Sequence, residues 1–442
     1  MPAQAIVQIF KAALAAADPY QAVLQALHLN GNSLEIAATN YELADYKRII
    51  VIGAGKATAR MALALEKMLG KRITDGLIIV KTGHSLPLKI IAQAEATHPV
   101  PDQSGVAATQ RILELLQFAD EKTLVICLLS GGASALLIAP VAGVTLQDTQ
   151  EVTSLLMHAG ASISELNSVR KHLSLVKGGL LAEMAAPAQM LTLIISDVVG
   201  DILEVIASGP TAPDSSTFAQ AWEVIKKYQL REKIPLRVMA YLKSGMAGDQ
   251  PETVKTGLKH VRNVIIASNS QALTAAHNQA LELGYTASVL SNKIQGDASE
   301  VAHFLAQTAR ATLAEMQAGE QRCCFLSGGE TTVKVSGSGK GGRNQELALA
   351  FALEAEGLTG VTLLSAGTDG TDGPTDAAGA MVDERTAERA RQLGLVPEQY
   401  LAANDSYTFF KKFDAGSGSN AHIITGPTAT NVMDIQIMLL KK

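Results

Sequence analysis

Apolar residues fall along this chain in short unbroken runs, and most runs stop at glycine mixed with small polar residues. Residues 48–52 (RIIVI), 76–80, 123–129 (TLVICLL), 190–195 (MLTLII), 261–267, 286–290, 324–326 and 361–365 have the length and composition of buried strands, and 94–97 reads as a shorter one. Helical spacing marks 59–69, a segment capped by Ser104 and running to 116, then 147–158, a helix ending at 283, 300–316 and 347–353. Residues 218–257 read as helical with breaks at Pro235 and Pro251, and the opening MPAQAIVQIFKAALAAADPY as an amphipathic helix. Residues 432–440 alternate as a last strand. Strands that take turns with helices predict an α/β protein, with ligands held at the carboxyl ends of its strands.

At 442 residues the chain is long for one core and is expected to form two domains, 1–250 and 251–442, divided in the helical stretch near 240–260. Apolar residues at 47% and charged residues at 18% suit large buried sheets. A net charge of -5 argues against nucleic acid or an anionic membrane as partner, and leaves room for a small anion held by local bases. Cys127, Cys323 and Cys324 have neither metal-ligand spacing nor the pattern of a disulfide framework, which points to a reducing cytoplasm. The N-terminus lacks a basic leader ahead of an apolar core, so no signal peptide is expected, and no apolar run has the length of a membrane span.

Chemistry-bearing residues gather where the apolar runs stop. The first ends in Gly53-Ala54-Gly55-Lys56-Ala57-Thr58. Thr58 breaks the dinucleotide fingerprint at its sixth position, and Lys56 at a helix start reads better as a base aimed at an anion. His84 and His98, near strand ends, read as hydrogen-bonded structural residues. LLSGGASALL at 128–137 and FLSGGETTVK at 325–334 share a strand, a Ser-Gly-Gly and a small polar turn, and suggest two Gly-Gly anion sites at strand ends. Arg170, Lys171 and Lys177 could face one cleft or be solvated helix faces. Asp197 follows 190–195 as a base or a Mg²⁺ ligand. Beyond Glu330 and Thr331 comes a loop with Gly337, Gly339, Lys340, Gly341 and Gly342, then Arg343 and Asn344 at a helix start. It reads as a phosphate cradle or as a flexible hairpin with solvated bases. It is not a Walker loop, because Lys334 stands where the first glycine should be. Asp369, Asp372 and Asp376 follow the 361–365 strand beside glycines and suggest a cation or ribose site ahead of a surface Asp-Gly turn.

Taken in order, VIGAGKA, THPVPD, LLSGGASALL, LNSVRKHLS with VKGG, ISDVVGD, IASGPT, LSGGETTVKV with GKGGRNQELAL, SAGTDGTDGPTDAAGA, NDSY and GPTATNV resemble the glycerate kinase family of the MOFRL type, the glycerate 2-kinases. The motifs span about residues 50–433, and each is weak without the others. The resemblance implies a Rossmann-like N-terminal domain, a smaller C-terminal α/β MOFRL-type domain and an active site in the interdomain cleft. It implies phosphorylation of D-glycerate by ATP with Mg²⁺, usually to 2-phosphoglycerate, with Lys56 and Arg343 as the catalytic bases. On that expectation Asp197 accepts the hydroxyl proton or binds Mg²⁺. The turn Ser130, Gly131, Gly132 and Ser134 holds the glycerate carboxylate, helped by Arg170 or Lys171. Gly328, Gly329, Glu330, Thr331, Lys340, Gly341, Gly342, Asn344 and Thr371 serve ATP, and Asp369 and Asp372 serve Mg²⁺ or ribose. The partners are small molecules, with assembly as a homodimer left open. Some members carry a hydroxypyruvate reductase label; a silent sugar-acid or nucleotide sensor is the third reading.

Overall fold

The computed structural model describes residues 2–316 and 322–442. It divides into two compact units, Pro19–Ile266 and a second made of Met1–Asp18 with Ala267–Lys442.

The first unit opens with a small antiparallel meander, β1 (His28–Asn30), β2 (Ser33–Ile36) and β3 (Thr39–Glu42). Its main sheet holds β4 (Arg48–Ala54), β5 (Asp75–Lys81), β6 (Ala92–Ala96), β7 (Thr123–Leu129), β8 (Gln189–Ile195) and β9 (Val261–Ala267), in the order β6-β5-β4-β7-β8-β9. The pairings among β4 to β8 are parallel. The chain first works outward from β4 through β5 to β6, then restarts on the other side with β7. The switch of direction therefore falls between β4 and β7, where doubly wound sheets hold their ligands. Burial explains the uninterrupted runs: all seven residues of β7 are buried, and Ile50, Ile52, Val125 and Cys127 share one core with Ile112 and Leu116 of the helix Gln103–Leu116. That helix is capped by Asp102, which accepts from the Gly105 amide, rather than by Ser104.

The second unit carries a mixed sheet of β10 (Thr286–Asp297), β11 (Arg322–Thr332), β12 (Val361–Gly367), β13 (Gly379–Asp383), β14 (His422–Ile423) and β15 (Asp434–Lys441). Its order is β10-β11-β15-β12-β13-β14, parallel only between β10 and β11. The helix Arg343–Glu354 is buried along nearly its whole length among Leu363, Met438, Phe409 and Phe410.

Two segments lie on the other side of the expected boundary at 250. β9, which the boundary at 250 assigns to the second unit, completes the first sheet. The His260 carbonyl accepts from the Met190 amide, and Val261 and Ile265 pack on the first unit's core. The opening helix, Pro2–Ala16, belongs with the second unit: its Ile6, Ile9, Phe10 and Ala13 are buried, and it packs on the helix Asn269–Glu282 and on β15. Thr430 donates to the Ala17 carbonyl at 2.6 Å. Periodicity identified both elements, but the apolar face each one covers is set by residues distant in sequence.

Gly53 shows why the first glycine of its motif is there. It pairs with Leu128 across β4 and β7, and a Cβ built on it would stand 2.3 Å from the Leu128 carbonyl oxygen. The obstacle is the backbone of a buried neighbouring strand and cannot swing aside. Gly53→Ala is expected to lower stability by about 1–3 kcal/mol, the usual cost of overpacking. An unfolding midpoint in urea equal to the parent's would refute this reading.

Candidate active site

At the switch point three strand ends bring their side chains together. Lys56 follows β4, and its amide donates to the Gly131 carbonyl at 2.9 Å. Ser130 follows β7; its hydroxyl accepts from the Ala57 amide and lies 3.1 Å from the Thr58 hydroxyl. The two turns are thereby laced to each other. Asp197 follows β8, and its carboxylate lies over Gly131, where a Cβ would stand 2.3 Å from Oδ2. Gly132, at φ +88°, leaves room for the Lys56 stem and the His98 ring: a Cβ there would meet Lys56 Cε at 3.3 Å and His98 Cδ2 at 3.0 Å. A lysine, a carboxylate and an imidazole therefore converge on one glycine pair. Burial, then the charge of Lys56 and Lys81, pushes the His98 pKa down to about 4, so the ring is neutral at pH 7. The sequence marks His98 only as a structural residue and carries no signal for its place beside Lys56.

Ser134 anchors a second layer. Its hydroxyl is 3.0 Å from the Ser208 hydroxyl, which donates to Asn167 Oδ1. Ala207 and Ser208 both have positive φ, a strained pair of non-glycine residues held by this buried network. The Ser134 carbonyl accepts from Arg170 and from Lys177. Lys171 does not join them. It is buried in an ion pair with Asp214 at 2.9 Å, where Asp214 also accepts from Ser216 and Thr253. Adjacent helix positions project about 100° apart, so Arg170 and Lys171 cannot both face Ser134.

In the second unit the expected Ser327-Gly328-Gly329 turn does not exist. Those residues continue β11, in register with Gln436, Ile435 and Asp434 of β15. A Cβ on Gly328 would stand 2.1 Å from Asn269 Oδ1, and one on Gly329 2.1 Å from the Ile294 carbonyl, so close packing requires both glycines. The resemblance between the two Ser-Gly-Gly stretches is therefore not structural. The loop glycines are explained the same way. Cβ atoms on Gly337, Gly339 and Gly341 would collide with residues 403–406, and one on Gly342 with Asp372. Asn404 fastens this loop through the amides of Ser336 and Gly337, and its side chain donates to Glu346. The Lys340 ammonium sits over the Tyr407 ring, 4.5 Å from its centroid.

Arg343, expected as a catalytic base, is engaged by two carboxylates. Nε and Nη2 donate to the two oxygens of Asp434 at 2.6 and 3.0 Å, and Nη1 donates to Glu330 at 2.6 Å. Asp434 is 0% exposed, and burial pushes its pKa up while Arg343 pulls it back. Asp372, assigned to Mg²⁺ or ribose, instead accepts from the Asn344 and Gln345 amides and so closes the start of the helix Arg343–Glu354. Asn344 is buried, accepts from Ser365 and donates to Asp372, which removes it from the surface expected to meet ATP. Asp369 accepts from the amide and hydroxyl of exposed Thr371. Among the described residues no group of three or more His, Cys, Asp and Glu could hold a metal ion. A groove of about 570 Å³ runs past Thr331, Gly341, Gly342, Arg343 and Glu346. The Thr331 hydroxyl in it is buried with no hydrogen-bond partner among the described residues.

Family models match two stretches, a domain of unknown function, DUF4147, over residues 5–243 and the MOFRL family over 323–434. The D-glycerate 2-kinase of Thermotoga maritima is 43% identical over 89% of this chain and 91% of its own length. The chain belongs to the MOFRL-type glycerate kinase family. A crystal structure of Thermotoga maritima glycerate kinase superposes on this family member with a TM-score of 0.87, covering 99% of both chains at 40% identity. A relative in Agrobacterium vitis, 38% identical over 99% of this chain and 94% of its own, is named provisionally as a hydroxypyruvate reductase.

Two outcomes follow from the family member's geometry. Arg343→Ala would strand the buried Asp434 charge and is expected to cost about 3–5 kcal/mol. Arg343→Lys should recover part, since an ammonium cannot reproduce the fork. A shift in urea midpoint no larger than that of an ordinary surface substitution would show that Asp434 does not depend on Arg343. His98 is held neutral below its ordinary pKa of 6.5, so the unfolded chain binds the extra proton between about pH 6.5 and 4. The stability His98 contributes is complete above pH 6.5 and is lost as pH falls towards 4. His98→Gln should therefore flatten the stability profile in that window, measured against the parent by denaturant titration at several pH values.

Proposed function

We propose that this chain transfers the γ-phosphoryl group of ATP to D-glycerate, giving 2-phosphoglycerate. The observation that carries the reading is the convergence of Lys56 and Asp197 on the Gly131–Gly132 turn at the switch point of the parallel sheet. Phosphoryl transfer needs positioning and charge neutralisation more than covalent chemistry. The Ser130–Ser134 turn would hold the glycerate carboxylate, braced from behind by Arg170 on the Ser134 carbonyl. Asp197 would accept the proton of the attacking hydroxyl, and the Lys56 ammonium would meet the charge gathering on the transferring group. The neutral ring of His98 next to Lys56 adds no competing positive charge there.

The nucleotide reading rests on the groove beside Arg343. Arg343 reaches a phosphate oxygen by exchange, Nη1 leaving Glu330, which is 47% exposed on its side chain and free to swing, while Asp434 keeps the guanidinium aimed. Mg²⁺ neutralises nucleotide phosphates when bound. The residues present fit an ion carried chiefly by those phosphates, with Asp369 as the protein donor, rather than a cage built by the protein. The reading brings with it a cytoplasmic enzyme with small-molecule substrates; no helix among the described residues is long and apolar enough to cross a membrane.

The deciding experiment is ADP release on adding D-glycerate to the protein with ATP and Mg²⁺, followed by identification of the phosphoglycerate isomer. Oxidation of NADH by hydroxypyruvate without ADP release would favour the reductase name instead. Lys56→Ala is expected to cut kcat by about 10²–10³-fold, and Asp197→Asn by about 10²–10⁴-fold, with unfolding midpoints near the parent's. Glu330→Gln should lower the KM for ATP by freeing Nη1 of Arg343. A kcat within a few-fold of the parent for both Lys56→Ala and Asp197→Asn would mean that the chemistry lies on other residues.

A further inference from the structure

Behind Ser134 the first unit holds a cavity of about 700 Å³ between residues 99–101, the helix Leu146–His158 and the helix Ile163–His172. Its walls include the buried Val152, Leu166, Val169 and Leu173. At its rim Val100 and Met157 are exposed, at 61% and 63%. Arg170 and Lys177 both line it. Lys177 is 1% exposed and donates to the carbonyls of Ser134 and Leu137; Arg170 donates to the Ser134 carbonyl.

Two cations side by side call for an anion. Among the described residues no carboxylate lies within ion-pair distance of either, although the neighbouring Lys171 has Asp214 and Glu204 within reach. An ammonium has three N–H donors and a guanidinium five, so both keep donors beyond the carbonyls that they serve. Burial, and for Lys177 the nearby charge of Arg170, holds both pKa values below their ordinary level, as expected for cations that lack a counter-charge. Unpaired buried charge is costly, and a ligand anion would remove that cost.

Glycerate does not match the rest of the cavity. It is far smaller than the space and would leave the apolar wall of Val152, Leu166 and Val169 uncovered. We propose that the cavity binds a monocarboxylate with an apolar body, its carboxylate on Lys177 and Arg170 and its chain along the Val152–Leu166–Val169 wall. The size lies within the range of small-molecule sites, and the combination of apolar walls with a few convergent polar groups is what such sites present. The inference does not depend on the kinase reading, since binding is read without ATP or glycerate.

Isothermal titration of the full chain with butanoate, hexanoate and octanoate tests it, with hexan-1-ol as the uncharged control. One acid should bind per chain, with Kd falling about fourfold for each added methylene. Hexan-1-ol should bind about tenfold more weakly than hexanoate or worse. Lys177→Met keeps the volume and removes the charge, and should weaken hexanoate by about tenfold or more. Thr153→Trp, at a partly exposed lining position, should block the cavity and abolish binding whatever becomes of the Lys177 variant. No measurable heat from any acid, binding unchanged by Thr153→Trp, or hexan-1-ol binding as tightly as hexanoate would each overturn the proposal.

Discussion

The first unit is governed by how closely the backbones of β4 and β7 and the turns that follow them approach. Gly53 lies against the Leu128 carbonyl and Gly55 against Ser130, and a methyl group at either would force these segments apart, while one on Gly131 would push the Asp197 carboxylate aside. The Lys56 amide and the Ser130 hydroxyl then tie the two turns together. Buried side chains of the parallel strands hold the sheet rigid, so the turn positions are inherited from the core. Lys56, His98 and Asp197 converge because three strand ends do, and no local feature of the three segments could have arranged it.

The second unit reaches its site by another route. There a buried carboxylate on each side of the helix start does the positioning: Asp434 grips the Arg343 fork, and Asp372 closes the helix's first amides. Both are ionisable groups taken out of water, which is tolerable only with their hydrogen bonds complete. The glycine loop before the helix is shaped by its own neighbours, residues 403–406 and Asp372. Glycine richness, open in the sequence to a phosphate cradle or a flexible hairpin, makes room first of all for the protein itself. A groove for a ligand remains beside it, with Glu330 and Glu346 on its walls and Arg343 already neutralised. An anionic ligand there must displace a carboxylate, which would make its binding sensitive to Glu330.

Arg170, Lys171 and Lys177 illustrate how little charge alone says about function. Similar in sequence, they have three fates: a guanidinium on the Ser134 carbonyl, a buried ion pair with Asp214, and a buried ammonium among carbonyls. Helical spacing separates the first two, and the third depends on a turn that folds Lys177 back under Ser134.

What the amino-acid order determined by itself is local. The buried strands show as unbroken apolar runs, since both faces of a covered sheet must be apolar. The helices show in their spacing, and the site in the habit of placing Lys56, Ser130 and Asp197 just after such runs. The ordered motifs were enough to recognise the family. Only the tertiary structure decided where β9 and the opening helix belong, that Ser327–Gly329 continues a strand, that Asp372 caps a helix, and that Asp434 holds Arg343. Each of those depends on a partner far away in the chain, a strand edge or a buried charge. The free energy that selects such a partner comes from desolvation and close packing, quantities with no counterpart in the spacing of residues along one segment.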